Sequence, residues 1–245
     1  MAMWQRLLFL WVAIALAAMT SVASAQATEE KTDAKTGITL KGKVTISGDA
    51  PAPRTITITK DPELCSAHGT RVSDVKIGKD KGVADVVVEI TGIKEKDDAP
   101  FQWDLPKDGF VIRQKDCGFS PNVLVIPNGK SVKVFNDDKV THNVNTGAWN
   151  EMQAPDAPAV EKPVKGRKPI KVSCNIHSWM EAWIYPVQSP HFAVTNKDGE
   201  YEIRNIPPGK YRVKFWHAAL KPVKERLTFE EDANMTKDVA MESFE

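Results

Sequence analysis

The chemistry this sequence offers is concentrated in four side chains: His142, then Cys174, His177 and Met180 in the run Cys174-Asn175-Ile176-His177-Ser178-Trp179-Met180. One thiolate, two imidazoles and a thioether suit a copper ion that changes charge by one. Imidazole favours Cu(II), sulfur favours Cu(I), and a weak axial thioether tolerates both, so an electron can move with little rearrangement. The C-x2-H-x2-M spacing holds three donors around one tight turn. The fourth must arrive from another strand, and His142 lies in a β-type run at 140–144.

Other metals fit less well. Zinc takes Cys and His but not a thioether, and no second Cys or His flanks the loop. A two-copper centre needs another cysteine in the loop, and the His-x-His pairs of multicopper oxidases do not occur. Taken singly, each residue has an ordinary reading. A buried Cys or Met fills a core, and a lone His is a satisfied polar group. No nucleophile or acid–base constellation stands out, so an enzyme is not expected.

The N-terminus reads as an export signal. Arg6 precedes an uncharged apolar run at 7–19, and Ala23-Ser24-Ala25 gives a small-x-small cleavage pattern, so residues 1–25 are expected to be removed. The run is shorter than the roughly 20 residues of a spanning helix, and no later segment is long enough. No membrane span is therefore expected in the mature protein, which would be periplasmic or secreted. Positive and negative charges balance once Arg6 is set aside. That balance gives no case for nucleic acid as a partner.

Export also bears on the cysteines, because disulfides persist in an oxidising compartment. There are three cysteines, an odd number. Cys174 belongs to the metal constellation. Cys65 and Cys117 are then left to pair as a disulfide, or to remain free and buried.

The elements that must position these residues are short strands. Residues 26–37 are polar, without periodicity, and read as a flexible leader. Beyond them, no long amphipathic helix is evident. A first group of β-type runs covers 40–46, 55–59 and 83–90, where Val86-Val87-Val88 looks like a buried central strand. A second covers 110–112, 123–126, 131–135, 140–144, 170–172 and 182–185. A third covers 192–194, 201–203, 211–216 and 223–229. Turn signals such as Pro127-Asn128-Gly129, Asn136-Asp137-Asp138 and Pro207-Pro208-Gly209 separate them. Strands this short, with turns this frequent, predict an all-β molecule of sandwich type. Residues 152–169, with four prolines and Lys162, Lys165, Arg167 and Lys168, read as a long semi-rigid basic loop.

The middle group resembles a cupredoxin. The likeness lies in residues 136–144 around His142, in the Cys174/His177/Met180 loop, and in Phe119-Ser120-Pro121 followed by a strand and a Gly turn at 129. The ligand spacing is similar to that of amicyanins. The resemblance covers 108–188 and implies a Greek-key sandwich holding one type 1 copper ion. It implies that His177 is a partly exposed ligand where redox partner proteins dock, and that the Asn143 amide donates a hydrogen bond to the Cys174 sulfur. The function it implies is one-electron carriage. The alternative is a periplasmic copper-binding or copper-delivery protein without electron transfer, and a third reading is a β-sandwich that has lost its copper.

The flanks resemble a carboxypeptidase regulatory-like, transthyretin-like sandwich, through Asn196-Lys197-Asp198-Gly199 and Ile206-Pro207-Pro208-Gly209 with Gly42-Lys43-Val44 earlier. Residues 38–95 and 190–245 would form its two parts, as one sandwich split by the middle insert or as two separate modules. His68, His191 and His217 read as structural. Trp179 and Trp183 read either as an apolar collar around His177 or as core.

Overall fold

Alternating apolar residues and β-branched side chains make these segments strands, and the positions that alternation leaves apolar decide which sheet faces meet. The computed structural model describes residues 37–96 and 100–244. The signal at 1–25 and the leader at 26–37, Gly37 apart, lie outside the described residues. In chain order the strands are β1 (Ile38–Ile46), β2 (Arg54–Thr55), β3 (Arg71–Val72), β4 (Val87–Thr91), β5 (Phe110–Lys115), β6 (Gly118–Ser120), β7 (Val123–Pro127), β8 (Ser131–Asn136), β9 (His142–Asn145) and β10 (Asn150–Gln153). There follow β11 (Val160–Pro163), β12 (Ile170–Ser173), β13 (Glu181–Val187), β14 (Phe192–Val194), β15 (Glu200–Ile206), β16 (Gly209–His217), β17 (Leu220–Phe229), β18 (Met235–Thr236) and β19 (Val239–Met241). One α-helical turn, α1 (Pro62–Cys65), and two 3-10 turns complete the described elements, so the molecule is all-β. No described helix is long and apolar enough to cross a membrane.

Strands β5 to β13 build the middle sandwich. One sheet runs β10-β9-β12-β13-β7 and the other β11-β8-β5-β6. Ile112, Val132, Val134, Val144 and Val172 fill the space between them and are fully buried. Strands on both sides of this segment share a flanking sandwich, with sheets β15-β1-β18, where β19 also pairs with β1, and β14-β4-β16-β17. Leu40 lies opposite Ile203 and Val88 opposite Phe215, so the two ends of the chain complete each other's sheets.

Strand β4 is buried on both faces, which explains its unbroken valine run. Val88 and Ile90 face the flanking core, whereas Val87 joins Val123, Val125, Tyr185 and Val187 in a seam between the sandwiches. Trp183 meets Trp216 edge-on across this seam, with ring centroids 5.5 Å apart.

Two segments differ from expectation. Of the run 55–59 only Thr55 is in a strand, and residues 54–72 form a strap that belongs with the middle sandwich rather than the flank. The cause is covalent and hydrophobic. Cys65 is bonded to Cys117, at an S–S distance of 2.00 Å, and Ile56 and Cys65 are buried in the middle core. The segment 152–169 is not one long loop, because Val160–Pro163 forms β11 on β8. It is an edge strand with Pro163 at its end, where a missing N–H costs no ladder bond. Lys165, Arg167 and Lys168 beyond it are exposed.

Candidate metal centre

Neighbouring strands bring the predicted residues together. His142 opens β9, Cys174 follows β12, and Ser173 is paired with Asn145 across these two strands. His142 and His177 have no solvent exposure, Met180 has 1% and Cys174 has 2%. The ligand turn closes on itself: Cys174 N–H donates to the Met180 carbonyl at 3.3 Å and Met180 N–H to the His177 carbonyl at 3.0 Å. The Cys174 sulfur accepts two backbone N–H groups, from Asn143 at 3.5 Å and from His177 at 3.4 Å. The Asn143 side chain ties the two halves of the site, accepting the Asn175 N–H and donating to Asn150.

The imidazoles face each other. His142 Nδ1 and His177 Nδ1 are 2.9 Å apart, and Cys174 Sγ lies 3.8 Å from His177 Nδ1. Donor atoms of His142, Cys174 and His177 all lie within 4.8 Å of one another. Met180 is buried in the same apolar cluster as Cys174.

Each histidine also carries a carboxylate on its far nitrogen. His142 Nε2 is 2.8 Å from Asp138 Oδ2, and His177 Nε2 is 2.9 Å from Asp61 Oδ2. A carboxylate only accepts, so each Nε2 bears a proton and each Nδ1 is turned into the site, where the 2.9 Å separation of the two Nδ1 atoms is that of a hydrogen bond. Two ring nitrogens and a sulfur converging at these distances repel unless a proton or a cation stands among them. A metal ion taking nitrogen and thiolate donors therefore fits this donor set. Burial pushes the His142 pKa below its ordinary value, against the pull of the Asp138 hydrogen bond, which keeps the ring in the neutral form a metal needs.

Asp138 is fixed by its own turn. Asn136 accepts its N–H at 3.0 Å and holds the carbonyls of Val140 and Gln153. The Asp138 carboxylate then accepts the N–H groups of Asp116 at 2.7 Å and Cys117 at 2.9 Å. Both of those residues have positive φ, 52° and 54°, as a two-residue hairpin turn between β5 and β6 requires. Asp61 comes from the strap. It adopts a left-handed conformation, φ 46°, just before α1, which Asp tolerates better than most residues.

The expected partly exposed His177 is corrected by the structure. Its ring is wholly buried, because the strap covers the edge where an open imidazole was anticipated. Trp179 is not an exposed collar either. It is 5% exposed, its indole N–H donates to the Cys117 carbonyl at 3.1 Å, and its ring lies 5.3 Å from that of His177. Trp183 belongs to the seam. His191 donates from Nε2 to the Asn205 carbonyl at 3.1 Å, and His217 accepts the Ala219 N–H at 3.2 Å. The strap packs His68 against the β5–β6 hairpin, where a Cβ on Gly118 would come within 3.2 Å of its ring. Sequence reasoning missed Asp61 and Asp138. Asp138 stood in a recognised turn four residues before His142, whereas nothing linked Asp61 to a histidine 116 positions later.

No protein-family model and no curated protein sequence matches the chain. Among solved structures, it is similar to amicyanin from Paracoccus versutus, at 19% identity over 41% of this chain and 97% of that one, with a TM-score of 0.30. A purple cupredoxin from Nitrosopumilus maritimus shares 24% identity over 34% of this chain and 88% of that one, TM-score 0.26. A copper-containing nitrite reductase from Thermus scotoductus shares 17% over 41% of this chain and 25% of that one, TM-score 0.29.

Proposed function

We propose that this chain is an exported one-electron carrier of the type 1 copper class, with His142, Cys174, His177 and Met180 as the ligands of one copper ion. The observation that carries this reading is the convergence of two Nδ1 atoms and a sulfur that accepts two backbone N–H groups, all on buried side chains. Bound copper supplies the one-electron couple; the protein supplies a fixed frame. Asn143 holds the two ligand-bearing segments in register, so the donors do not spread when the charge at the site changes. The apolar walls from Val144, Val172, Trp179 and Ile184 keep water from entering and re-solvating either charge state. A delivery protein needs an exchangeable ion, and four donor residues with 2% exposure or less do not favour exchange.

The test is copper loading of the mature protein, followed by visible absorption and EPR. An intense thiolate-to-Cu(II) band is expected with one copper per chain, and Cys174→Ser should abolish it. A band that survives that change would sink the assignment.

A further inference from the structure

The site departs from a simple four-ligand arrangement in one respect: a carboxylate stands behind each imidazole, and the two have different origins. Asp138 is internal to the middle sandwich. It is buried and saturated, since it also accepts two backbone N–H groups of the β5–β6 turn. Asp61 belongs to the strap, residues 54–72, which packs on the middle sandwich. Three features fix it there. Its carbonyl accepts the N–H groups of Leu64 and Cys65, at 3.1 and 2.9 Å, which closes α1. Cys65, at the end of α1, is bonded to Cys117 beside the metal centre, and both sulfurs lie within 4.8 Å of a His177 ring nitrogen. Its left-handed backbone turns the carboxylate inward to His177 Nε2. The disulfide thus delivers an acid to a histidine whose Nε2 has no other hydrogen-bond partner among the described residues.

We propose that Asp61 is a positioning residue for His177: it fixes the ring with Nδ1 directed into the site and, with Asp138 behind His142, biases the centre toward the more highly charged state of the metal. The inference rests on the copper reading above but reaches beyond it, because the orientation of His177 is a property of the metal-free protein. The physical basis is direct. A carboxylate on the outer N–H of a ligating imidazole fixes the tautomer and raises ligand basicity. Its negative charge stabilises a divalent ion more than a monovalent one, and a wall with no solvent at the ring screens this little. The Asp61 side chain is itself 41% exposed, so its effect should be smaller than that of buried Asp138.

Two variants separate charge from geometry. Asp61→Asn keeps an oxygen that accepts the Nε2–H but removes the charge; Asp61→Ala removes both. In the copper-loaded protein, Asp61→Asn should raise the reduction potential and weaken Cu(II) binding about 10- to 100-fold while leaving the shape of the EPR spectrum nearly unchanged. Asp61→Ala should also perturb the EPR spectrum. In the metal-free protein, nitrogen NMR of labelled histidine should show a slowly exchanging proton on His177 Nε2, which should be lost in Asp61→Ala and retained in Asp61→Asn. A potential and a Cu(II) affinity untouched by Asp61→Asn would overturn the electrostatic role. An Nε2 proton that exchanges as slowly in Asp61→Ala as in the wild type would overturn the positioning role. If the wild-type protein gave no thiolate band yet lost its protected His177 Nε2 proton in Asp61→Ala, the carrier reading would fail and the positioning of His177 would stand.

Discussion

The two sandwiches bury polar side chains for different purposes. In the flanking sandwich and its seam, Thr195 and Glu89 already have their partners in the fold. Thr195 Oγ1 accepts the Val86 N–H at 2.9 Å and donates to the Val83 carbonyl at 2.7 Å. Glu89 accepts the Tyr185 hydroxyl at 2.8 Å, and Lys214 donates to the same hydroxyl oxygen at 2.7 Å. These bonds join strands and leave little free valence. In the middle sandwich, Asp138 and Asn143 are similarly occupied, but they serve two histidines whose inner nitrogens face only each other and a sulfur. The middle sandwich thus gathers two imidazoles and a thiol at one buried place, which is the arrangement on which the copper proposal rests.

The largest expected break in this contrast comes from the flanking core. Phe215 is fully buried between the flanking sheets, and Phe215→Ala should cost about 3–5 kcal/mol in denaturant unfolding. Because β4 presents Val88 to one core and Val87 to the seam, the loss should appear in a single transition shared by both sandwiches. Two separated transitions would mean that the seam does not couple them. The strap gives the converse case. Replacing both Cys65 and Cys117 by Ala opens a closure spanning 52 positions and should cost about 4 kcal/mol on a chain-entropy argument. Its local effect should fall on the middle sandwich: hydrogen exchange at the Trp179 indole should speed up by more than exchange at the Val86 amide. Equal acceleration at both would erase the distinction between a site held by a strap and a sandwich held by its own sheets.

Legibility in the sequence followed the range of the interactions. The valine run at 86–88 and the turn at Asn136-Asp137-Asp138 are local signals: the turn stands where it was read, and the run leads into β4, which begins at Val87 rather than at Val83. The four donor residues were legible because their chemical types are rare in combination, whatever the fold does with them. The covering of His177 was not legible. It depends on a segment without hydrophobic periodicity, placed by a disulfide whose formation the sequence left open, and on an aspartate 116 positions from its partner. Strand β11 was hidden by its prolines, which read as loop until an edge position makes Pro163 harmless.

The smallest effect concerns pH and a histidine on the flanking side. His217 ends β16, is 7% exposed, and accepts a backbone N–H with its Nδ1. Burial lowers its pKa from 6.5 to about 4, while the nearby charges of Asp85 and Asp74 oppose the shift and Lys76 adds to it. A depressed folded-state value means that the unfolded chain takes up the proton first. The stabilisation is therefore complete above pH 6.5 and is lost as pH falls toward about 4, by about 3 kcal/mol at most. His217→Asn can keep an acceptor for the Ala219 N–H without a proton to gain, so it should flatten the stability profile between pH 6.5 and 4 by about one proton's slope. Denaturant unfolding of the metal-free protein across that range measures it. An unchanged slope would show that His217 stays accessible to protons in the folded state, and would remove it from the set of buried groups the fold has fully committed.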